Sequence, residues 1–347
     1  MDSWYLDNLC CPRDGANLRL EAERLICREG HQYPVVDGIP VMLLDDVRQT
    51  IGLAECSLRL ARAGSDPSGL YLDSLGINAR ERLGVAALAV KGNGKIDPVV
   101  AYIIAATNGL MYKPMLGKLR RYPIPEIPLP DGHSEELLDV GCNWGRWSIA
   151  ASQRGWKVTG IDPSLGAIMS ARRVAQSMGL SIRYVVADGR YLPFRSNRFK
   201  AAYSFGVLQH LSREDVATAL RQIARVLAPA GICLVQMPNN LGLRSVYQQA
   251  RRRFRLARDF EVRYWSIHDL RKAFSVAIGS PAQVWVDAFG GLGIHKADLD
   301  LMSPGRKLVI VCSEILKKIS RALPFLVYFA DSVYVKAVKA PDGPMVS

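Results

Sequence analysis

The chain has 347 residues and a formal net charge of +13, with 49% hydrophobic and 22% charged residues. That hydrophobic share excludes a disordered chain, and the length accommodates two or three modules around at least one large core. The seven Cys are odd in number and unevenly spread. This excludes a secreted disulfide framework, and MDSWYLDNLC lacks a signal-peptide pattern, so a cytoplasmic setting is expected. No run of about 18 apolar residues reads as a membrane span. The basic excess points to an anionic partner (nucleic acid, phosphorylated substrate or acidic membrane surface), or to nothing more than a soluble basic surface.

Residues 1–46 read as two short hairpins, punctuated by Pro12, Gly15, Gly30, Pro34, Gly38 and Pro40. Two residues separate Cys11 from Asp14, and three separate Cys27 from His31. Two such pairs on two turns can enclose one tetrahedral ion, and so small a module needs that staple or a docking surface. The ending YPVVDGIPVMLL and the Cys-Pro turn resemble the Trm112-like zinc-ribbon family. The resemblance implies zinc held by Cys11, Asp14, Cys27 and His31. It departs at Asp14, where the family commonly has Cys, and at His31. Cys10 is an alternative ligand, and a metal-free module folded by packing onto its neighbour is the other reading.

Residues 47–132 read as a helical connector. VRQTIGLAECSLRLARAG is helical in pattern, with Ile51, Leu53, Leu58 and Leu60 apolar; two or three further helices follow, one started by Asp97 and Pro98. Asn108, Gly109 and Tyr112 interrupt an apolar helix with polar groups. They suit a loop lining a substrate site, with Asn108 and Tyr112 as binding candidates, or a plain Asn-Gly helix C-cap. RRYPIPEIPLPDG is a stiff, extended linker.

Residues 133–240 carry the chemistry. LLDV ends on Gly141, a tight turn reaches Gly145, a helix follows, and a second apolar run ends on Asp162. Strand, glycine turn, helix, strand and acid form half of a nucleotide-binding unit, which alone does not separate a dinucleotide from other adenosine ligands. Next come a strand ending in Asp188, a strand FKAAYSFGVLQHL, and a helix broken by APAG before a fifth strand. In this order, DVGCNWG, IDPS, ADGRYLPF, FGVLQHL and RVLAPAGICLV resemble the motifs of class I S-adenosylmethionine-dependent methyltransferases. A dehydrogenase would need GxGxxG, which GCNWGRW does not supply.

The resemblance implies an α/β chain with a Rossmann-like seven-stranded sheet, its last strand antiparallel, over residues 133–347, with inserts at 241–265 and 290–330. It also implies S-adenosylmethionine as cofactor, bound by Asp139, Gly141, Cys142, Asn143, Gly145, Asp162, Pro163, Asp188, Gly189, Arg190 and Phe205. Gly141 and Gly145 would line its methionine and ribose portion, Asp162 the ribose hydroxyls and Asp188 the adenine amine. Asp139 would lie near the methionine ammonium or merely brace the turn. Asn143 stands where the family has glycine, which Asn replaces well in left-handed backbone. Trp144 and Trp147 suit core or ligand contact equally.

In residues 241–347, Arg244, Arg251, Arg252, Arg253, Arg255 and Arg258 crowd one stretch. They form a solvated basic helix or a grip on phosphate, with Arg251 the substrate-binding candidate. Ser266 and Asp269 mark a helix start, and AQVWVDAF and SVYVKAV the last two strands. Between them a helix over Arg306–Leu323 mixes apolar and basic positions; core packing is expected, with contact to a membrane surface or partner as the alternative. Methyl transfer requires alignment and, for an acidic acceptor, a base. His210 is the candidate base, ahead of His268 and His295; Tyr203 and Gln209 are candidates for the acceptor pocket. The acceptor is expected to be a small molecule, glycan or lipid-linked intermediate. A ribosomal RNA base methyltransferase and a non-catalytic partner-binding scaffold are the competing functions.

Overall fold

The computed structural model describes residues 1–64, 72–91, 96–108, 112–291, 293 and 295–340; Gly109, singled out above, lies outside them. The N-terminal strands β1 (Leu18–Glu21), β2 (Arg24–Cys27), β3 (Gln32–Val36) and β4 (Ile39–Pro40) pair antiparallel in chain order. Two-residue turns join β1 to β2 at Ala22 and Glu23 (φ 45° and 60°) and β3 to β4 at Asp37 and Gly38 (φ 50° and 74°). Left-handed pairs of this kind match the twist of a hairpin.

The main sheet contains β5 (Glu136–Val140), β6 (Lys157–Asp162), β7 (Arg183–Val186), β8 (Phe199–Ser204), β9 (Leu227–Pro238), β10 (Gln283–Ala288) and β11 (Ser332–Val338). Its seven strands lie in the order β10-β11-β9-β8-β5-β6-β7. β5 to β9 are mutually parallel, while β11, last in the chain, is antiparallel to both its neighbours. This is the seven-stranded sheet with a reversed last strand that the resemblance implied. Leu137, Leu138, Val158, Ile161, Ala201 and Ala202 are at most 1% exposed, as parallel strands covered on both faces require. Helices Leu165–Ser177, Arg213–Val226 and Ile267–Ile278 each start on a serine (Ser164, Ser212, Ser266) whose hydroxyl accepts a first-turn N–H. The APAG break falls inside β9, at Ala230 with φ 57°, where the register to β8 shifts.

The N-terminal sheet covers the otherwise free edge at β7, which would be open to intermolecular pairing. Tyr5 Oη donates to the Tyr184 carbonyl (3.0 Å) and accepts from its N–H (3.1 Å). Met42 N–H donates to the Val186 carbonyl (2.7 Å), and Leu9 bridges Phe194. Tyr5, Leu9, Leu25 and Met42 share one buried apolar cluster with Leu138, Val185 and Phe194. The connector helix Pro98–Thr107 is capped by Asp97, which accepts from Val99 and Val100 N–H.

The C-terminal helix Pro304–Ala322 departs from the expected core packing: of its residues only Ile310 and Ser313 are buried.

Candidate functional site

Two glycines shape the turn after β5. Gly141 has φ +78°, and an added Cβ would lie 2.2 Å from Val207 Cγ2; Gly145 has φ +84° and stands 2.9 Å from the Tyr184 hydroxyl by the same measure. Asn143 between them also adopts left-handed backbone (φ 49°), and its Oδ1 accepts the Trp144 N–H at 2.7 Å. The side chain thereby supplies the local hydrogen bond that makes Asn tolerable there. Cys142 and Gly141 N–H both donate to the Ile161 carbonyl. The Cys142 side chain is buried against Gly160, with its thiol 3.7 Å from the Asn143 carbonyl.

Asp162 ends β6 with its carboxylate on the turn: Oδ2 accepts from Asn143 N (3.1 Å) and Oδ1 from Ser164 N (2.9 Å). Burial raises its pKa to about 6 against the opposing pull of those two N–H groups. Pro163 sits half-buried beside it. Asp139 lies one strand position before the turn on β5. It is 1% exposed and its Oδ2 accepts the Ser148 hydroxyl (2.6 Å), so it braces the turn from beneath. Burial, with nearby Asp162 adding, raises it to about 7 despite the Ser148 bond.

Asp188 lies just after β7 and is 5% exposed. Both of its oxygens are taken by Arg190, through Nε (3.2 and 3.1 Å) and Nη2 (2.8 Å). Arg190 in turn reaches Asp215 and the Arg48 carbonyl, so it is a strut between the sheet, a helix and the start of the connector. Gly189 packs beside Val140.

At the end of β8, Phe205 lies in an aromatic cluster with Trp147 (4.7 Å), His295 (5.2 Å) and Tyr334 (6.2 Å between ring centroids). Tyr203, expected in an acceptor pocket, is instead fully buried, its hydroxyl 3.2 Å from that of Tyr334. His295 Nε2 is buried without a partner, and burial pushes this ring well below the usual histidine range. Gln236 accepts from Gly206 N and donates to Ser332, which donates to the buried Asp287. This polar chain was not foreseen, because its members come from three separate strands.

The connector and the C-terminal insert both touch the turn. Asn108 is the C-cap of its helix, and its Oδ1 accepts from Trp144 Nε1 (3.1 Å). Tyr112 Oη donates to Asp298 and accepts from Arg146 Nη2 (2.9 Å), while Arg146 Nη2 also donates to Asp298 (2.5 Å). All three are at least nine-tenths buried. Arg146 went unforeseen, although a cation in the first turn of a helix opposes the helix dipole and was a signal.

Two further candidates change character. His210 stacks on Phe260 (3.8 Å, 6°), and its Nδ1–H donates to the Phe260 carbonyl (2.7 Å). Its Nε2 then accepts from Gln209 (3.2 Å), and burial lowers the ring to about 4. A base so weak has little drive to take a proton at neutral pH. Arg251 lies exposed at the end of a surface helix over Tyr247, and no described contact joins it to the turn. His210 also makes stability pH-dependent. Between pH 6.5 and about 4 the unfolded chain binds a proton that the folded chain refuses, so stability falls as pH is lowered through that window. His210→Gln is expected to flatten this acid arm in urea midpoints measured against pH.

In the N-terminal module, Cys11, Asp14, Cys27 and His31 place their ligand atoms within 4.8 Å of one another. His31 Nδ1 lies 3.1 Å from Asp14 Oδ2, 3.4 Å from Cys27 Sγ and 3.5 Å from Cys11 Sγ. Cys10 does not join them; its N–H bonds the Pro193 carbonyl and its thiol lies beside Arg225.

Strand order, glycine turn and strand-end acid together are those of a class I S-adenosylmethionine-dependent methyltransferase fold. Residues 137–231 match the model of a family described as "Methyltransferase domain". A ubiquinone biosynthesis O-methyltransferase of Azorhizobium caulinodans is 29% identical over 103 residues, covering 30% of this chain and 40% of that protein. A demethylmenaquinone methyltransferase of Thermus thermophilus is 33% identical over 104 residues, 29% of this chain and 46% of that protein. The chain thus spans less than half the length of these relatives. Among solved structures, the YcgJ protein of Bacillus subtilis is similar over 60% of this chain and 93% of its own, with 19% identity and a TM-score of 0.42.

Proposed function

We propose that the protein transfers a methyl group from S-adenosylmethionine to a small-molecule acceptor. The observation that carries this reading is Asp162 Oδ2 on the Asn143 N–H, which couples the strand-end acid to a glycine turn within the matched residues. The cofactor supplies an electrophilic methyl on a sulfonium, and the protein's task is to bind, orient and exclude water.

Donors orphaned around the turn fit such a ligand. Arg146 Nε and Asn108 Nδ2 are buried without partners and suit its carboxylate. The free lone pairs of Asp162 suit ribose hydroxyls, and Phe205 with Trp147 offers an apolar wall for the reacting centre. Asp139, Asp188 and Arg190 act by holding the turn and its flank in place. The relatives' names put quinone precursors at the head of the acceptor panel. Calorimetry with S-adenosylmethionine should show one site, weakened at least tenfold in Asp162→Ala, and labelled methyl should enter small metabolites. No binding to folded protein would favour a partner-binding scaffold, and label in ribosomal RNA would favour the base-methylating reading.

We further infer that Cys11, Asp14, Cys27 and His31 hold a structural zinc ion. Four of their six spacings, 3.1 to 3.6 Å, are close to the edge lengths of a tetrahedron with bonds of about 2.0–2.3 Å, and the others lie within 4.8 Å. Native mass spectrometry is expected to find one zinc per chain. Cys27→Ser should remove it and lower Tm by roughly 5 °C or more, because metal-binding free energy here is folding free energy.

A further inference from the structure

The helix Pro304–Ala322 stands on the protein the wrong way round for a core helix. The stripe turned toward the body is Arg306, Ile310, Ser313, Lys317 and Ser320, all buried or half-buried. Ser313 Oγ there accepts the Phe289 N–H at 2.9 Å. The opposite face is apolar and open: Leu308 is 64% exposed, Ile315 51%, Leu323 45%, Val311 42%, Ile319 41% and Leu316 39%. From Leu308 these fall at i, i+3, i+7, i+8, i+11 and i+15, which is one face of a helix. No charged residue interrupts it. From Leu308 to Leu323 the face is about 22 Å long at helical rise, and no described residue covers it.

The patch continues beyond the helix. Phe325, Tyr328 and Phe329 are 42 to 55% exposed in the next turn of chain. Asn239 Nδ2 donates to the Tyr328 carbonyl (2.7 Å) and Arg244 to Gly290 O (3.3 Å), which sets the helix Leu243–Arg251 beside them. Leu241 and Leu243 are 52 and 76% exposed on that side.

Charge selects the occupant. Residues 304–322 hold five Lys or Arg and a single acid, Glu314, which lies 3.9 Å from Lys317. Lys307, Lys318 and Arg321 flank the apolar face and ion-pair with no described residue, and the adjoining 244–258 stretch adds six Arg. A second copy of the chain would set basic rim against basic rim. Anionic headgroups neutralise such a rim while the acyl boundary takes up the apolar face. We propose that this face docks on an anionic lipid bilayer surface, with the helix lying in the interface plane. No described helix is long and apolar enough to cross the bilayer.

The proposal is independent of the methyl-transfer reading, and sedimentation of the full chain with vesicles tests it. The protein should co-sediment with phosphatidylglycerol–phosphatidylcholine vesicles, weakly with phosphatidylcholine alone, and less as salt is raised. Leu308→Glu combined with Ile315→Glu should cut partitioning roughly tenfold or more, with thermal melting unchanged because both side chains are exposed. Calorimetry with S-adenosylmethionine, run alongside, reports separately on the cofactor site. Failure to sediment with either vesicle, equal binding to both, or undiminished binding by the double variant overturns the proposal. So does a dimer, seen by light scattering, that the double variant splits, since that assigns the face to a second copy.

Discussion

Asp298→Ala should destabilise the protein by about 3–5 kcal/mol, among the largest effects of any single substitution in this chain. The carboxylate is 0% exposed and Arg146 is 6% exposed. Removing the acid leaves a guanidinium in the interior with only the Tyr112 hydroxyl (2.9 Å) beside it. The charge cannot be shed by deprotonation, because arginine stays ionised even in the interior. The three residues come from the connector, the glycine-turn helix and the C-terminal insert, so the same change should loosen both segments that lie over the turn. Urea midpoints at constant m-value give the cost. Replacing the pair together, Arg146→Met with Asp298→Leu, should recover much of it, since an apolar pair leaves no buried charge unpaired. If the single variant lost less than about 1 kcal/mol, the pair would have to be wet in solution, contrary to its burial.

That pair shows where reading the sequence stops. Arg146 and Asp298 are 152 positions apart, and nothing in local pattern links them. The first two strands of the main sheet were legible because each is an apolar run ended by a glycine or an acid. Those ends, at Gly141 and Asp162, are set by the backbone that a turn demands. Helix starts at Asp97, Ser164, Ser212 and Ser266 were legible, or are explicable, for the same local reason. Residues whose partners are distant in sequence fared worse. His210 stacks on Phe260, 50 positions away, a contact that no local pattern announced. The helix Pro304–Ala322 is the sharpest case. Its periodicity shows an apolar face, yet periodicity is silent on whether that face meets the protein or the solvent.

Gly141→Ala should abolish measurable S-adenosylmethionine binding while costing roughly 2–5 kcal/mol of stability. Two separable effects add. At φ +78° any Cβ carries the left-handed penalty of about 1–2 kcal/mol. The new methyl would also fall 2.2 Å from Val207 Cγ2 and 2.8 Å from Cγ1, an overpacking worth about 1–3 kcal/mol if the loop yields. Whichever gives way, the turn or the Phe205–Val207 segment, the ligand site is displaced, because both flank it. A double variant sorts the two effects. Gly141→Ala with Val207→Ala removes the steric part and leaves the backbone part, so thermal stability should recover partway while calorimetric affinity stays far below that of the parent. Asp162 reports on the outcome independently. Its Oδ2 is held by the Asn143 N–H at 3.1 Å, two residues along the same turn. A displaced turn frees that oxygen and changes the carboxyl pKa, now about 6, in a direct titration by NMR. Parent-like affinity in Gly141→Ala would mean that the turn does not approach the cofactor, and the assignment of the site to residues 141–145 would fall with it.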